Sequence, residues 1–140
     1  MKISKIVAVG VFCGSPRNVV SNTRRERRPA LCAARGFFET EDANNVDAAL
    51  MYWADDGMFV NSRGQKRIGR EQLRTFIQIA INAKVHHEMK SPRVEGQRAF
   101  WTEDESADFY QKLGIQSVQN VSEALVQGGK IKMLVVYFLH

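Results

Sequence analysis

Apolar residues at Leu31, Ala34, Phe37, Phe38 and Ala43 recur near the helical period and predict a first helix from Ala30 to about Ala43. Pro29 suits its first helical position, and Asn44-Asn45 is a natural stop, since asparagine tolerates the left-handed cap. Val46, Leu50 and Trp53 predict a second helix over about Val46–Ala54, which Asp55-Asp56-Gly57 breaks. Met58-Phe59-Val60 reads as a short strand and Asn61-Ser62-Arg63-Gly64 as a turn. A third helix opens at Gly69-Arg70-Glu71, with Leu73, Phe76, Ile77 and Ala80 on its core stripe. The pattern then turns to strands: Val85–Val94, Arg98–Thr102, Ile115–Val126 and Lys130–Leu139. Gly128-Gly129 joins the last two as a hairpin. Glu103–Leu113 reads as a short helical insert, capped by a solvated acidic Glu103-Asp104-Glu105. Three helices before a long antiparallel meander give the α+β class. A sheet wrapped on the first helix leaves a cone-shaped cavity, the kind of space that takes a ligand.

A chain of 140 residues with 44% hydrophobic content is one domain with a real core. Its longest apolar runs, Ile6–Gly14 and Met133–Leu139, are too short to cross a membrane. The net charge of +5 is unevenly placed. Residues 1–36 hold eight basic residues against one acid, a net of +7, which leaves 12 bases and 14 acids, a net of −2, for residues 37–140. A basic surface for nucleic acid is therefore confined to the tail, and the composition argues against that partner. Residues 1–28 form a basic N-terminal extension that also resembles a weak export signal; 29–140 form the domain. The expected compartment is the cytoplasm, with export as the alternative if residues 1–14 act as a signal. Cys13 and Cys32 make neither a disulfide framework nor a metal spacing, and are expected to be free thiols.

Trp53-Ala54-Asp55-Asp56-Gly57-Met58-Phe59, then Gly69-Arg70-Glu71-Gln72-Leu73, then Gly129-Lys130-Ile131 closing the last hairpin resemble the NTF2-like superfamily. Within it the chain is most similar to the SnoaL-like, ketosteroid-isomerase-like and limonene-epoxide-hydrolase-like branches, over about residues 30–140. The resemblance implies a cystatin-like, cone-shaped α+β barrel, with three N-terminal helices on a curved, mostly antiparallel sheet. It also implies a homodimer packed through the outer sheet face, where Met133, Val135 and Tyr137 would lie. The branch mechanisms do not carry over. Where ketosteroid isomerases place a base aspartate, an oxyanion tyrosine and a second aspartate donor, this chain has Asn61, Phe37 and Val121. Asn61 matches the water-holding asparagine of the epoxide hydrolases, but Phe59 replaces their tyrosine and Val136 their last-strand aspartate. No arginine-x-aspartate occurs in Arg98–Ser106.

The residues left for chemistry are few. Val85, His87 and Met89 share one strand face, and a half-buried imidazole there is a candidate general base. The more ordinary reading is a core or interface histidine with a satisfied hydrogen bond. His86 points away from it, which excludes a metal held by the pair. Asn61 is a candidate to orient a water or a ligand carbonyl. Phe37, Trp53, Phe59, Ile77, Trp101, Val121 and Phe138 are expected to line the cone, with Glu123 on the same face as Val121. The sequence thus predicts a domain that binds a small apolar molecule, without metal or cofactor. The alternative is a cofactor-free isomerase, cyclase or epoxide hydrolase that uses His87 and Asn61.

Overall fold

The computed structural model describes residues 23–138, with side chains from Pro29 onward. The helices are α1 (Thr23–Asp42), α2 (Val46–Leu50), α3 (Gly69–Asn82) and α4 (Asp108–Gln111). The strands are β1 (Trp53–Val60), β2 (Lys66–Ile68), β3 (His86–Glu95), β4 (Arg98–Ser106), β5 (Val118–Gln127) and β6 (Lys130–Phe138). They form one sheet in the order β2-β1-β6-β5-β4-β3. Every pairing is antiparallel except β1 with β6. The α+β architecture is the expected one, and the cone is open, with β2 and β3 as its edges.

Helix α1 buries Ala30, Ala33, Ala34, Phe37, Phe38 and Glu41. The spacing of three and four residues makes one continuous stripe. That stripe lies across the inner face of β3, β4, β5 and β6. Gly36 is part of the same contact, because a Cβ there would stand 2.4 Å from the Tyr52 ring. Phe37 meets Trp53 edge-on, with ring centroids 5.4 Å apart, and Phe59 stacks on Phe76 of α3 at 4.0 Å.

Several boundaries differ from the sequence pattern. Pro29 lies inside α1 rather than at its first position, since the helix begins at Thr23. Helix α2 ends at Leu50, and Trp53 opens β1. The local helical spacing of Val46, Leu50 and Trp53 yields to pairing: Trp53 lies opposite Ile131, whose N–H donates to the Tyr52 carbonyl at 2.8 Å. Asp55-Asp56-Gly57 is then an irregularity within β1, where the register shifts between Trp53 and Met58. Gly57 is needed there, because a Cβ would lie 2.9 Å from the Trp53 ring and 3.1 Å from the Ile131 carbonyl oxygen. Strand β4 runs on to Ser106, so the insert helix is only the four residues of α4. The hairpin at Gly128-Gly129 forms as expected, with Gln127 opposite Lys130.

Strand β5 decides which side chains face inward. Asn120, Ser122, Ala124 and Val126 are buried, and the residues between them face outward. Val121 therefore lies on the outer face opposite Tyr137, not in the cone. Glu123 shares that outer face and pairs with Arg98. The apolar residues at 121, 124, 125 and 126 fit either phase of the strand, and the small inward side chains win because they leave room for α1.

Candidate functional site

Four elements carry polar groups into an otherwise apolar interior, β5 through Asn120 and Ser122. Glu41 continues the buried stripe of α1 one turn beyond Phe37 and Phe38. His87 faces inward from β3, its side chain 12% exposed. Strand β4 buries Ala99, Trp101 and Glu103 in strict alternation. Glu103 is thus 1% exposed and not the solvated cap expected from its acidic neighbours.

The hydrogen bonds converge on Glu103. His87 Nδ1 lies 2.7 Å from Glu103 Oε2. Glu103 Oε1 accepts from Trp101 Nε1 at 2.7 Å and from Ser122 Oγ at 3.0 Å. With Nδ1 held by Glu103, His87 Nε2 faces Glu41 Oε1 at 3.7 Å, beyond hydrogen-bond reach. Phe38 stacks on the imidazole at 4.3 Å and meets Trp101 edge-on. Beside this trio, Glu105 Oε1 accepts from Asn120 Nδ2 at 3.0 Å and from the Tyr110 hydroxyl at 3.3 Å. Tyr110 is half-buried, so the cluster meets solvent on this side.

The charges follow from the geometry. Burial opposes a charge on His87, but the hydrogen bond to Glu103 and the carboxylates of Glu103, Glu41 and Glu105 outweigh it and raise its pKa to about 9. His87 is therefore an imidazolium at neutral pH, not the free base expected of it. Burial also works against the Glu103 charge, and the His87 contact overcomes it and holds that carboxyl below its ordinary value. Glu41 is different. Burial raises its pKa to about 7 despite the pull of His87, and Asp42, Glu105 and Glu103 push the same way as burial. Both Glu41 oxygens are buried without any hydrogen-bond partner, as are Asn120 Oδ1 and Trp53 Nε1.

The remaining sequence candidates fall in three places. Phe37, Trp53, Ile77 and Trp101 are buried in the core, and Phe59 packs against it. Phe138 stands opposite Asn120 at the open end of the inner face, 46% exposed. Asn61 occupies the turn after β1: its Oδ1 accepts from the N–H groups of Arg63 and Gln65, and its Nδ2 donates to Gln65 Oε1. Both acceptor sites of its amide oxygen and one of its two N–H donors are used there. Cys32 is disulfide-bonded rather than a free thiol. Sequence reasoning passed over Glu41 and Asn120 and read Glu103 and Glu105 as a solvated cap. The available signal was position: a carboxyl on the core stripe of α1, and another on the buried phase of β4.

Residues 34–132 match the SnoaL-like domain model. The chain belongs to the SnoaL-like domain family. No curated protein matches it in sequence. Solved structures share the fold of this SnoaL-like domain. One is an uncharacterized cystatin fold protein from Novosphingobium aromaticivorans, 22% identical, with a TM-score of 0.65 over 76% of this chain and 96% of its own. Another is the epoxide hydrolase/cyclase-like enzyme SalBIII of pyran ring formation in the polyether salinomycin, 15% identical, TM-score 0.70, covering 79% of this chain and 90% of its own. A computationally designed 17-OHP binder is 19% identical, TM-score 0.68, covering 79% and 91%. At these identities the likeness is one of fold. No helix among the described residues is long and apolar enough to cross a membrane.

Proposed function

We propose that this SnoaL-like domain binds a small, largely apolar molecule between α1 and the inner face of the sheet, with the polar end at Glu41. The observation that carries this is the pair of unpartnered oxygens on a side chain 1% exposed. A buried acceptor left unpaired costs about 1–3 kcal/mol, more when charged. A ligand that supplies a donor recovers that cost on binding. Phe38 and Trp101 wall the cluster from within the core, and Phe138 offers apolar surface at the open end.

Titration by NMR with cyclohexanone, benzyl alcohol and indole tests the reading. The expected result is movement of the Trp101 and Trp53 indole N–H resonances. Shifts confined to outer-face residues, or none at all, would sink it.

A second reading rests on the Glu41 pKa of about 7. A carboxylate poised there is suited to general-base work. In this reading Glu41 takes a proton from carbon beside a carbonyl, and the His87 imidazolium gives its Nε2 proton to the developing oxyanion. The pair His87–Glu41 replaces His87–Asn61, because the Asn61 amide is committed to its turn. Hydrogen exchange at the α-carbon of cyclohexanone in D2O checks it: wild type accelerates the exchange and Glu41→Gln does not. Equal rates in the two proteins would leave only the binding role.

The apolar residues of the outer sheet face, Met133, Val135 and Tyr137, support a homodimer.

A further inference from the structure

The unpartnered atoms of the cluster are all of one kind. Glu41 Oε1, Glu41 Oε2 and Asn120 Oδ1 are acceptors, and each belongs to a side chain no more than 2% exposed. Most donors nearby are spent: Trp101 Nε1 and Ser122 Oγ on Glu103, and Asn120 Nδ2 and the Tyr110 hydroxyl on Glu105; His87 Nε2 faces Glu41 Oε1 at 3.7 Å without reaching it and leaves Glu41 Oε2 and Asn120 Oδ1 with no donor. Asn120 lies directly across from Glu103 on the inner face, so its free oxygen borders the same cluster. The formal charge there is three carboxyl groups, Glu41, Glu103 and Glu105, against one imidazole. A hydroxyl brings a single donor to such a place. A primary ammonium brings three donors and a positive charge.

Resting on the binding reading above, we propose that the molecule held at Glu41 is a primary amine, bound as its ammonium, with an apolar body directed toward the open end of the sheet. The Asn120 oxygen is the second anchor. Two aromatic side chains border the cluster: Phe38 stacks on His87, and Trp101 donates its indole N–H to Glu103. Phe138, opposite Asn120 and 46% exposed, is placed to cover the apolar body. Metal cations fit less well, because no group of three or more His, Cys, Asp or Glu among the described residues converges as a metal needs.

The experiment compares benzylamine with benzyl alcohol, which share size and shape, by NMR titration to about 10 mM, within reach of fragment-strength binding. Wild type is expected to bind the amine at least tenfold more tightly, roughly the gain of 1.4 kcal/mol for a charge-assisted contact over a neutral one. Glu41→Gln keeps the shape and removes the charge, so the preference collapses to within about twofold. Phe138→Ala, at an exposed position, weakens both probes equally. Alcohol binding as tight as amine binding overturns the ammonium assignment and leaves the binding reading standing. A preference that survives Glu41→Gln removes Glu41 as the anchor. Failure of both probes to bind overturns both readings.

Discussion

Glu41 and His87 tilt the stability of the fold with pH in the same direction. A carboxyl at about 7 in the fold, against 4.5 unperturbed, binds its proton more tightly when folded. The part of the burial cost that depends on its charge is therefore absent at pH 4, grows as pH rises from 4.5 and is complete above 7. His87, raised from 6.5 to about 9, stabilises fully below 6.5 and loses that contribution as pH rises through 9. The two share charge and are not additive. Wild-type stability is accordingly expected to fall across pH 4.5 to 9, read by urea unfolding at several pH values. Glu41→Gln should match wild type near pH 4.5 and exceed it by up to about 3 kcal/mol at pH 8, since one pKa unit corresponds to about 1.4 kcal/mol. A variant no more stable than wild type at pH 8 would show that Glu41 has a partner. His87→Gln has the opposite sign. It leaves Glu103 charged and buried without its counter-ion, and should cost about 3–5 kcal/mol at pH 7. Thermal melts of the same variant check this.

At the scale of elements, α1 is both the floor of the site and the best-specified helix. Its Gly36 is an exception to the usual propensity argument. Glycine to alanine inside a helix normally stabilises by about 1 kcal/mol. Here the added Cβ would stand 2.4 Å from the Tyr52 ring, so Gly36→Ala should instead destabilise, by about 1–3 kcal/mol from overpacking. Adding Tyr52→Ala should restore the helical gain, which a double-mutant cycle measures. The same element shows what the pattern of residues could reveal. Phe37 and Phe38 were legible as inward-facing because their spacing places both on one helical stripe. The strand phase of β5 was not, because Val121, Ala124, Leu125 and Val126 satisfy both faces, and only contact with α1 chooses. Glu103 was hidden for another reason. Local charge, with Asp104 and Glu105 beside it, argues for solvent, and it is the alternation from Ala99 through Trp101 that carries it inside. Trp53 shows the reverse case, where a helical spacing with Val46 and Leu50 loses to pairing with a strand more than seventy positions away.

For the whole molecule the question is what covers the convex face. Met58 and Val60 of β1, Val121 and Leu125 of β5, and Met133, Val135 and Tyr137 of β6 alternate with the core positions and so lie together outside. Tyr137 is 49% exposed. Glu123 stands among them, opposite Val135, with its charge paired to Arg98, and Arg93 lies over the Phe100 ring at 4.2 Å. An exposed apolar stripe whose charges are already paired suits an interface between protein surfaces. A second copy of the chain would present the same stripe, and a two-fold axis through β6 would set it against itself. Sedimentation velocity is expected to find a dimer. Val135→Glu would place a carboxylate at the centre on both sides of the contact, and an unpaired buried charge there should weaken association by at least 2 kcal/mol, about thirtyfold. Because Val135 points away from α1, the variant should keep the Trp101 and Trp53 indole resonances and any response to benzylamine. A wild-type protein that sediments as a monomer would refute the dimer and leave the inner site untouched. If Val135→Glu instead disturbed both indoles, the two faces of the sheet would be coupled, and assembly would help set the position of Glu103 and, through it, of His87.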